Sequence, residues 1–188
     1  MKQIEMKLRT WGGKRKGAGR PNRSGNGVAH ARRVRFAARF PVHVTMRVTD
    51  ATWNLRSRRS FRIVERAFWR GQGRFGVRLI HFAVMGNHIH LIVEAPGAGG
   101  LSRGVKGLGV RIAKGMNRLM SRRGQVVRER YHAHVLRTPS ETRRAVHYVL
   151  ANHEHHFRRP DREFTSVARP DLVIEPQTWL LTRAPPPT

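Results

Sequence analysis

Two pairs of side chains in this sequence are spaced for chemistry rather than for packing. The first is His88 and His90, within Val84-Met85-Gly86-Asn87-His88-Ile89-His90-Leu91-Ile92-Val93-Glu94. Successive side chains of a strand point to opposite faces, so the two imidazoles leave one face side by side while Ile89 and Leu91 leave the other. A half-buried strand asks only for apolar residues alternating with ordinary polar ones, and imidazole is an uncommon choice at two adjacent same-face positions. A shared metal ion explains the pairing, because histidine is a frequent ligand and the strand fixes the spacing of both rings. The second pair is Tyr148 and Asn152, at i and i+4 of a helical stretch, so both leave one helix face. If that helix packs over the histidine face, two imidazoles and an amide oxygen form a half-filled coordination sphere with room for a substrate oxygen and water. The phenol beside them is then the nucleophile.

The elements that must position these groups are legible in order. Pro41 to Val48 alternates and is β-branched, so it reads as a first strand. Asp50 or Thr52 is the candidate cap of a helix over Trp53 to Trp69, which Gly71-Gln72-Gly73 ends. Phe75 to Met85 is a second strand, Gly86-Asn87 a turn, and His88 to Ala95 a third strand, together a hairpin. Leu101, Val105, Leu108, Ile112, Met116 and Leu119 recur at helical spacing over Leu101 to Arg123, although Gly104, Gly107, Gly109 and Gly115 weaken that helix. Tyr131 to Leu136 is a fourth strand. Thr138 or Ser140 then caps a helix running to about Phe157 that carries Tyr148. The β-α-β-β-α-β order predicts an α+β fold, a ferredoxin-like split antiparallel sheet with one added C-terminal helix bearing the tyrosine.

Composition bounds the partners. The chain has 188 residues, enough for one good core, and divides into a basic flexible arm over 1–38, a compact domain over 39–158 and a Pro-containing tail over 159–188 expected to be loosely docked or disordered. Lysine plus arginine number 38 against 11 acidic residues, a formal charge of +27 that implies a polyanionic partner. Chromatin-like and ribosomal proteins can be this basic, but 39% hydrophobic content supports a real fold. With no cysteine, disulfides and thiolate zinc sites are excluded. Apolar runs are of strand length and no secretory signal is visible, so no membrane association is expected; the expected location is the cytoplasm, at the nucleoid. Arg15 and Arg20 lie in the glycine-spaced arm, where Gly19-Arg20-Pro21 looks like the core of a minor-groove AT-hook. Further candidates for DNA contact are His43, Arg103, Lys106, Arg111, Lys114, Arg130 and His132. Each has a plainer reading: the helix cations are ordinary solvent-face charges one by one, and the His132/His134 pair suits phosphate contact or packing. Tyr131 reads as a packed aromatic.

Asn87-His88-Ile89-His90 resembles the His-hydrophobic-His signature of the HUH endonucleases, and Tyr148-Val149-Leu150-Ala151-Asn152 resembles the tyrosine helix of their single-tyrosine transposases. The REP-associated tyrosine transposase group is the closer likeness. The Gly-Gly-Lys-Arg-Lys-Gly-Ala-Gly-Arg-Pro segment of the arm, Pro41-Val42-His43-Val44-Thr45 and Arg130-Tyr131-His132 are similar to it as well, so the likeness covers roughly Trp11 to Phe157. One departure is visible: many relatives continue with Asn-Pro after the tyrosine, whereas here His153 follows Asn152. The resemblance implies an HUH transposase-like catalytic domain over 39–158 that binds Mg²⁺ or Mn²⁺ through His88, His90 and Asn152. It further implies that Tyr148 forms a 5′-phosphotyrosine on single-stranded or hairpin DNA, followed by strand transfer, in a monomer or homodimer. The alternative is a non-catalytic basic nucleic-acid-binding protein with a ferredoxin-like sheet, which would need exposed strand aromatics that these strands offer sparsely. A histidine-triad nucleotide hydrolase needs a third histidine where Ile92 stands.

Overall fold

Strand alternation decides what each side of this sheet is made of. In a computed structural model of the chain, residues 35–128, 130–156 and 163–183 are described, with side chains of the last long helix described as far as residue 151. All of them belong to the unit Arg32–Thr188. The elements run β1 (Val42–Arg47), α1 (Arg58–Gly71), β2 (Arg78–Val84), β3 (His88–Glu94), α2 (Ala98–Leu119), β4 (His132–Val135), α3 (Pro139–His156) and a short α4 (Trp179–Thr182). The four strands form one antiparallel sheet in the order β2-β3-β1-β4. This is the ferredoxin-like split β-α-β-β-α-β fold with an added tyrosine helix.

Val42, Val44 and Met46 of β1, with Ile89, Leu91 and Val93 of β3, point to the side that α1 and α2 cover, and form the main core with Phe61, Val64, Phe68, Leu101 and Ile112. The alternate residues face α3, where Ile80, Ile92, Leu136, Val146, Val149 and Leu150 make a smaller second core. Because β3 is central and covered on both sides, it is buried almost along its whole length. A bulge between Leu79 and His81 shifts the phase of β2, so that Leu79 and Phe82 enter the main core and Ile80 and Ala83 the second.

Several boundaries depart from expectation for local reasons. α1 starts at Arg58 rather than Trp53, capped not by Asp50 or Thr52 but by Ser57, whose side chain accepts from the Ser60 N–H at 3.2 Å. Upstream, Asn54 Oδ1 accepts the Arg56 N–H at 2.9 Å, a local turn that competes with helix. The Leu55 N–H donates to Gly86 O at 2.9 Å and its side chain is buried, tying this loop to the β2–β3 turn. α2 is regular through its glycines because two of them permit close packing. A Cβ on Gly115 would fall 2.2 Å from Ile63 Cγ2 of α1, and one on Gly104 2.5 Å from Val77 Cγ2. Close approach thus offsets the roughly 0.5–1 kcal/mol that each helical glycine costs relative to alanine.

The largest departure lies past the tyrosine helix. The segment beyond Arg158 is expected from sequence to be loosely docked or disordered, yet over 163–183 it is firmly bonded to β2: the Val84 N–H donates to Phe164 O, the Ser166 N–H to Phe82 O and the Ile174 N–H to Leu79 O, at 2.9–3.0 Å. Phe164, Leu172, Leu180 and Leu181 are buried. Glu94, also buried, accepts from the Gln177 and Thr178 N–H groups at 2.9 and 2.7 Å and from Arg78 Nε at 3.1 Å, which anchors the start of α4. The segment covers what would otherwise be an open sheet edge at β2. Of the expected arm over 1–38, residues 1–34 lie outside the described residues, as do 184–188 of the tail.

Candidate active site

The α3 side of the sheet collects histidines because three neighbouring strands present them in phase. Antiparallel pairing sets Thr45 opposite His90 on β3 and opposite His132 on β4, and His43 opposite Ile92 and His134. His88 and His90 stand on the same face with ring centroids 4.8 Å apart and planes perpendicular. α3 crosses this face on a stripe of Thr142, Val146, Val149 and Leu150, all buried, so Tyr148 falls at the margin of the stripe. Its ring lies 5.2 Å from that of His90 and 5.9 Å from that of His43, edge-on to both, while 45% of the residue remains exposed. A half-exposed phenol that rests edge-on against a buried His90 and a half-buried His43 is reachable from solvent.

Each candidate ligand ring has a partner on its inner nitrogen. His88 Nδ1 lies 2.7 Å from Asn87 Oδ1, an acceptor, which puts the proton on Nδ1 and the lone pair on Nε2. His90 Nδ1 lies 3.2 Å from Thr45 Oγ1 and 3.1 Å from His43 Nε2. Hydrogen bonds at Nδ1 are how proteins fix the ring and tautomer of metal-binding histidines. The pair therefore fits a divalent ion on its donor chemistry, imidazole nitrogen favouring Mn²⁺ or Zn²⁺ over Mg²⁺. Among the described residues, no group of three or more His, Cys, Asp or Glu side chains is placed to hold a metal. Asn152 lies four residues beyond Tyr148 on α3, and its side chain is outside the described ones.

The electrostatics favour a neutral ring at His43. Burial pushes the His43 imidazole down to about 4, with the neighbouring charges of His132 and His134 acting in the same direction. At the β4 edge, His134 Nε2 meets Glu141 Oε1. The Glu141 carboxyl is held below its ordinary range, first by the Arg137 N–H donating to it at 2.7 Å and then by His134.

The other sequence candidates fall in three places. His43, a candidate for DNA contact, sits beside His90 in the histidine cluster, and His132 is exposed on β4 on the same side. Arg103, Lys106, Arg111 and Lys114 all lie on α2, across the sheet from Tyr148; Arg103 stacks over Phe75 and Lys106 shares a cavity wall with Arg130. Arg15 and Arg20 are outside the described residues. Sequence reasoning missed Thr45 and Asn87, the partners of the two histidines. The signal was available: the β-α-β-β order makes β1 a neighbour of β3, so His-Val-Thr on β1 must flank His-Ile-His.

No family model matches the sequence, and no curated protein does. Among solved structures, the chain is similar to a REP-associated tyrosine transposase bound to a REP hairpin, with a TM-score of 0.60 and 16% identity over 76% of this chain and 84% of that one. At that identity the likeness is one of fold. A bacterial tRNA(His) guanylyltransferase-like protein in complex with GTP aligns with a TM-score of 0.42 and 11% identity. Among the described residues no helix is long and apolar enough to cross a membrane.

Proposed function

We propose that this chain is a metal-dependent single-stranded DNA endonuclease and transposase that works through a 5′-phosphotyrosine and acts on hairpin DNA. The observation that carries the reading is the approach of the Tyr148 ring to 5.2 Å from His90 on the face that His90 shares with His88. The likeness of fold to a transposase bound to a hairpin supports the choice of partner.

His88 and His90, with the Asn152 amide oxygen, would hold the ion, Mg²⁺ or Mn²⁺. When bound, the ion supplies Lewis-acid polarisation of the scissile phosphate and offsets charge developing on its oxygens. Tyr148 Oη attacks phosphorus in line, forming the P–O bond of a 5′-phosphotyrosine as the P–O3′ bond breaks. The departing oxygen takes a proton and leaves as a free 3′-OH. The reverse attack by a 3′-OH restores the phosphodiester, so strand transfer needs no ATP. His43 and Thr45 keep His90 in one orientation through their contacts at Nδ1. A base-stacking mode on the open sheet is disfavoured, because α3 covers the face that such a mode would use.

The test is incubation of the protein with 5′- and 3′-labelled hairpin DNA and Mn²⁺, followed by denaturing electrophoresis. A protein–DNA adduct that disappears in Tyr148→Phe, with DNA binding retained, is the expected result. An adduct that survives that substitution places the nucleophile elsewhere.

A further inference from the structure

Among the described residues, a concentrated positive surface lies away from Tyr148, on the far side of the sheet. α1 and α2 flank an open groove of about 460 Å³ whose walls carry Arg66 and Arg70 from α1 and Arg111, Lys114 and Arg118 from α2. No acidic side chain lines it, and none of the five makes an ion pair with a described residue.

We propose that this groove binds a nucleic-acid phosphodiester backbone, at a site separate from the tyrosine. Three features carry the assignment. Arg66 and Arg70, like Lys114 and Arg118, are four residues apart, about 6 Å along a helix, so each wall presents a row of cations rather than a point charge. Gly115 brings the rows together: a Cβ there would overlap Ile63 at 2.2 Å, so the two helices sit closer than any other residue would permit. Packing alone gains nothing from forcing two cationic rows into apposition, since like charges repel and no described carboxylate forms an ion pair with them. An extended polyanion does relieve them. Four of the five cations are arginines, whose planar fork matches phosphate oxygens two at a time. The apolar residues of the lining, Ile63, Ala67 and Leu119, are buried or half-buried and none is exposed, which suits a backbone laid along the groove better than insertion into a lipid surface.

The proposal does not depend on the phosphotyrosine reading, and the two fail separately. The measurement is the affinity of the full-length protein for a fluorescent DNA hairpin, by anisotropy at several NaCl concentrations. The two walls are neutralised in separate variants, Arg111→Gln/Lys114→Gln/Arg118→Gln and Arg66→Gln/Arg70→Gln. Arg35→Gln/Arg59→Gln/Arg183→Gln is the charge-matched control, using exposed residues outside the groove. Thermal unfolding confirms that each variant folds, and the two walls give two independent chances of a folded one. The α2-wall variant is expected to bind about tenfold more weakly near 0.1 M salt, with a salt slope shallower by about 0.7–0.9 for each phosphate it no longer neutralises. The α1-wall variant should shift in the same direction, and the control should stay within about threefold. Equal losses in control and groove variants overturn the assignment. So does a groove variant that keeps its DNA affinity and salt slope while losing capture by phosphatidylserine vesicles.

Discussion

The two faces of this sheet are made from alternate residues of the same strands, and they carry different loads. On the α1/α2 face Val44 sits opposite Leu91, both within 1% of complete burial, and the contact is purely apolar. One residue along, Thr45 sits opposite His90, and the contact is a hydroxyl and two imidazole rings beneath a tyrosine. Stability is concentrated on the first face, where the larger core lies. The second buries fewer apolar side chains and keeps a half-exposed phenol. The phenol comes from α3, and the strands place imidazoles beneath it without disturbing the apolar core, because a strand changes chemistry every residue while its backbone stays rigid. A slip of one residue in the β1–β3 register would exchange the faces and destroy both.

The sharpest way to break this division is to remove the phenol. Tyr148→Phe should reduce adduct formation on the order of 10³-fold or more, while the equilibrium stability moves by no more than about 0.5 kcal/mol because the hydroxyl is at an exposed position. Leu91→Ala should do the opposite, costing about 2–5 kcal/mol in a urea titration through reduced burial and the cavity left behind, with the adduct still formed at temperatures where the variant is folded. If Leu91→Ala were stable and unable to form the adduct, the two faces would not be separable as drawn.

The apolar face was legible because its signal is local. Val42, Val44 and Met46, then Ile89, Leu91 and Val93, alternate in the sequence as they do in the sheet, and the α2 stripe from Leu101 to Met116 repeats at helical spacing. The histidine face was legible only in pieces. His88 and His90 announce themselves, but that His43 and Thr45 stand beside them follows from strand order rather than from any motif. The docking of residues 163–183 was not legible at all. Phe164, Leu172, Leu180 and Leu181 are separated by eight, eight and one positions, which matches neither a helix nor a strand, and Glu94 reads as an ordinary strand-end charge until its backbone partners at Gln177 and Thr178 are seen. The Thr138 cap was among the two expected, its hydroxyl accepting the Glu141 N–H at 3.2 Å.

Smaller effects sharpen the contrast further. His43, facing α3, and His81, next to the β2 bulge, are both pushed down to about 4, His43 by burial and then by His132 and His134, His81 by burial. Between about pH 6.5 and 4 the unfolded chain binds more protons than the folded one at these rings, so stability is complete above that window and is lost as the pH falls through it. Urea unfolding at pH 7 and at pH 5 should differ by up to about 2 kcal/mol per ring. His81→Gln should remove about half of the difference; an unchanged pH dependence in that variant would assign the loss to other groups.

Thr45→Val is the gentlest probe of the polar face, since it deletes one hydroxyl from the hydrogen-bonding shell of His90 and keeps the side-chain volume. A single hydrogen bond is worth a net 0.5–1.5 kcal/mol or so, but His43 Nε2 already stands 3.1 Å from the same Nδ1. It can accept the Nδ1 proton without moving a strand. The stability loss should therefore stay below about 1 kcal/mol, whereas Val44→Thr, which puts a hydroxyl among the apolar side chains of the other face, should cost about 1–3 kcal/mol. A larger loss for Thr45→Val than for Val44→Thr would mean that His43 does not support His90, and that the polar face contributes to folding as much as the apolar one.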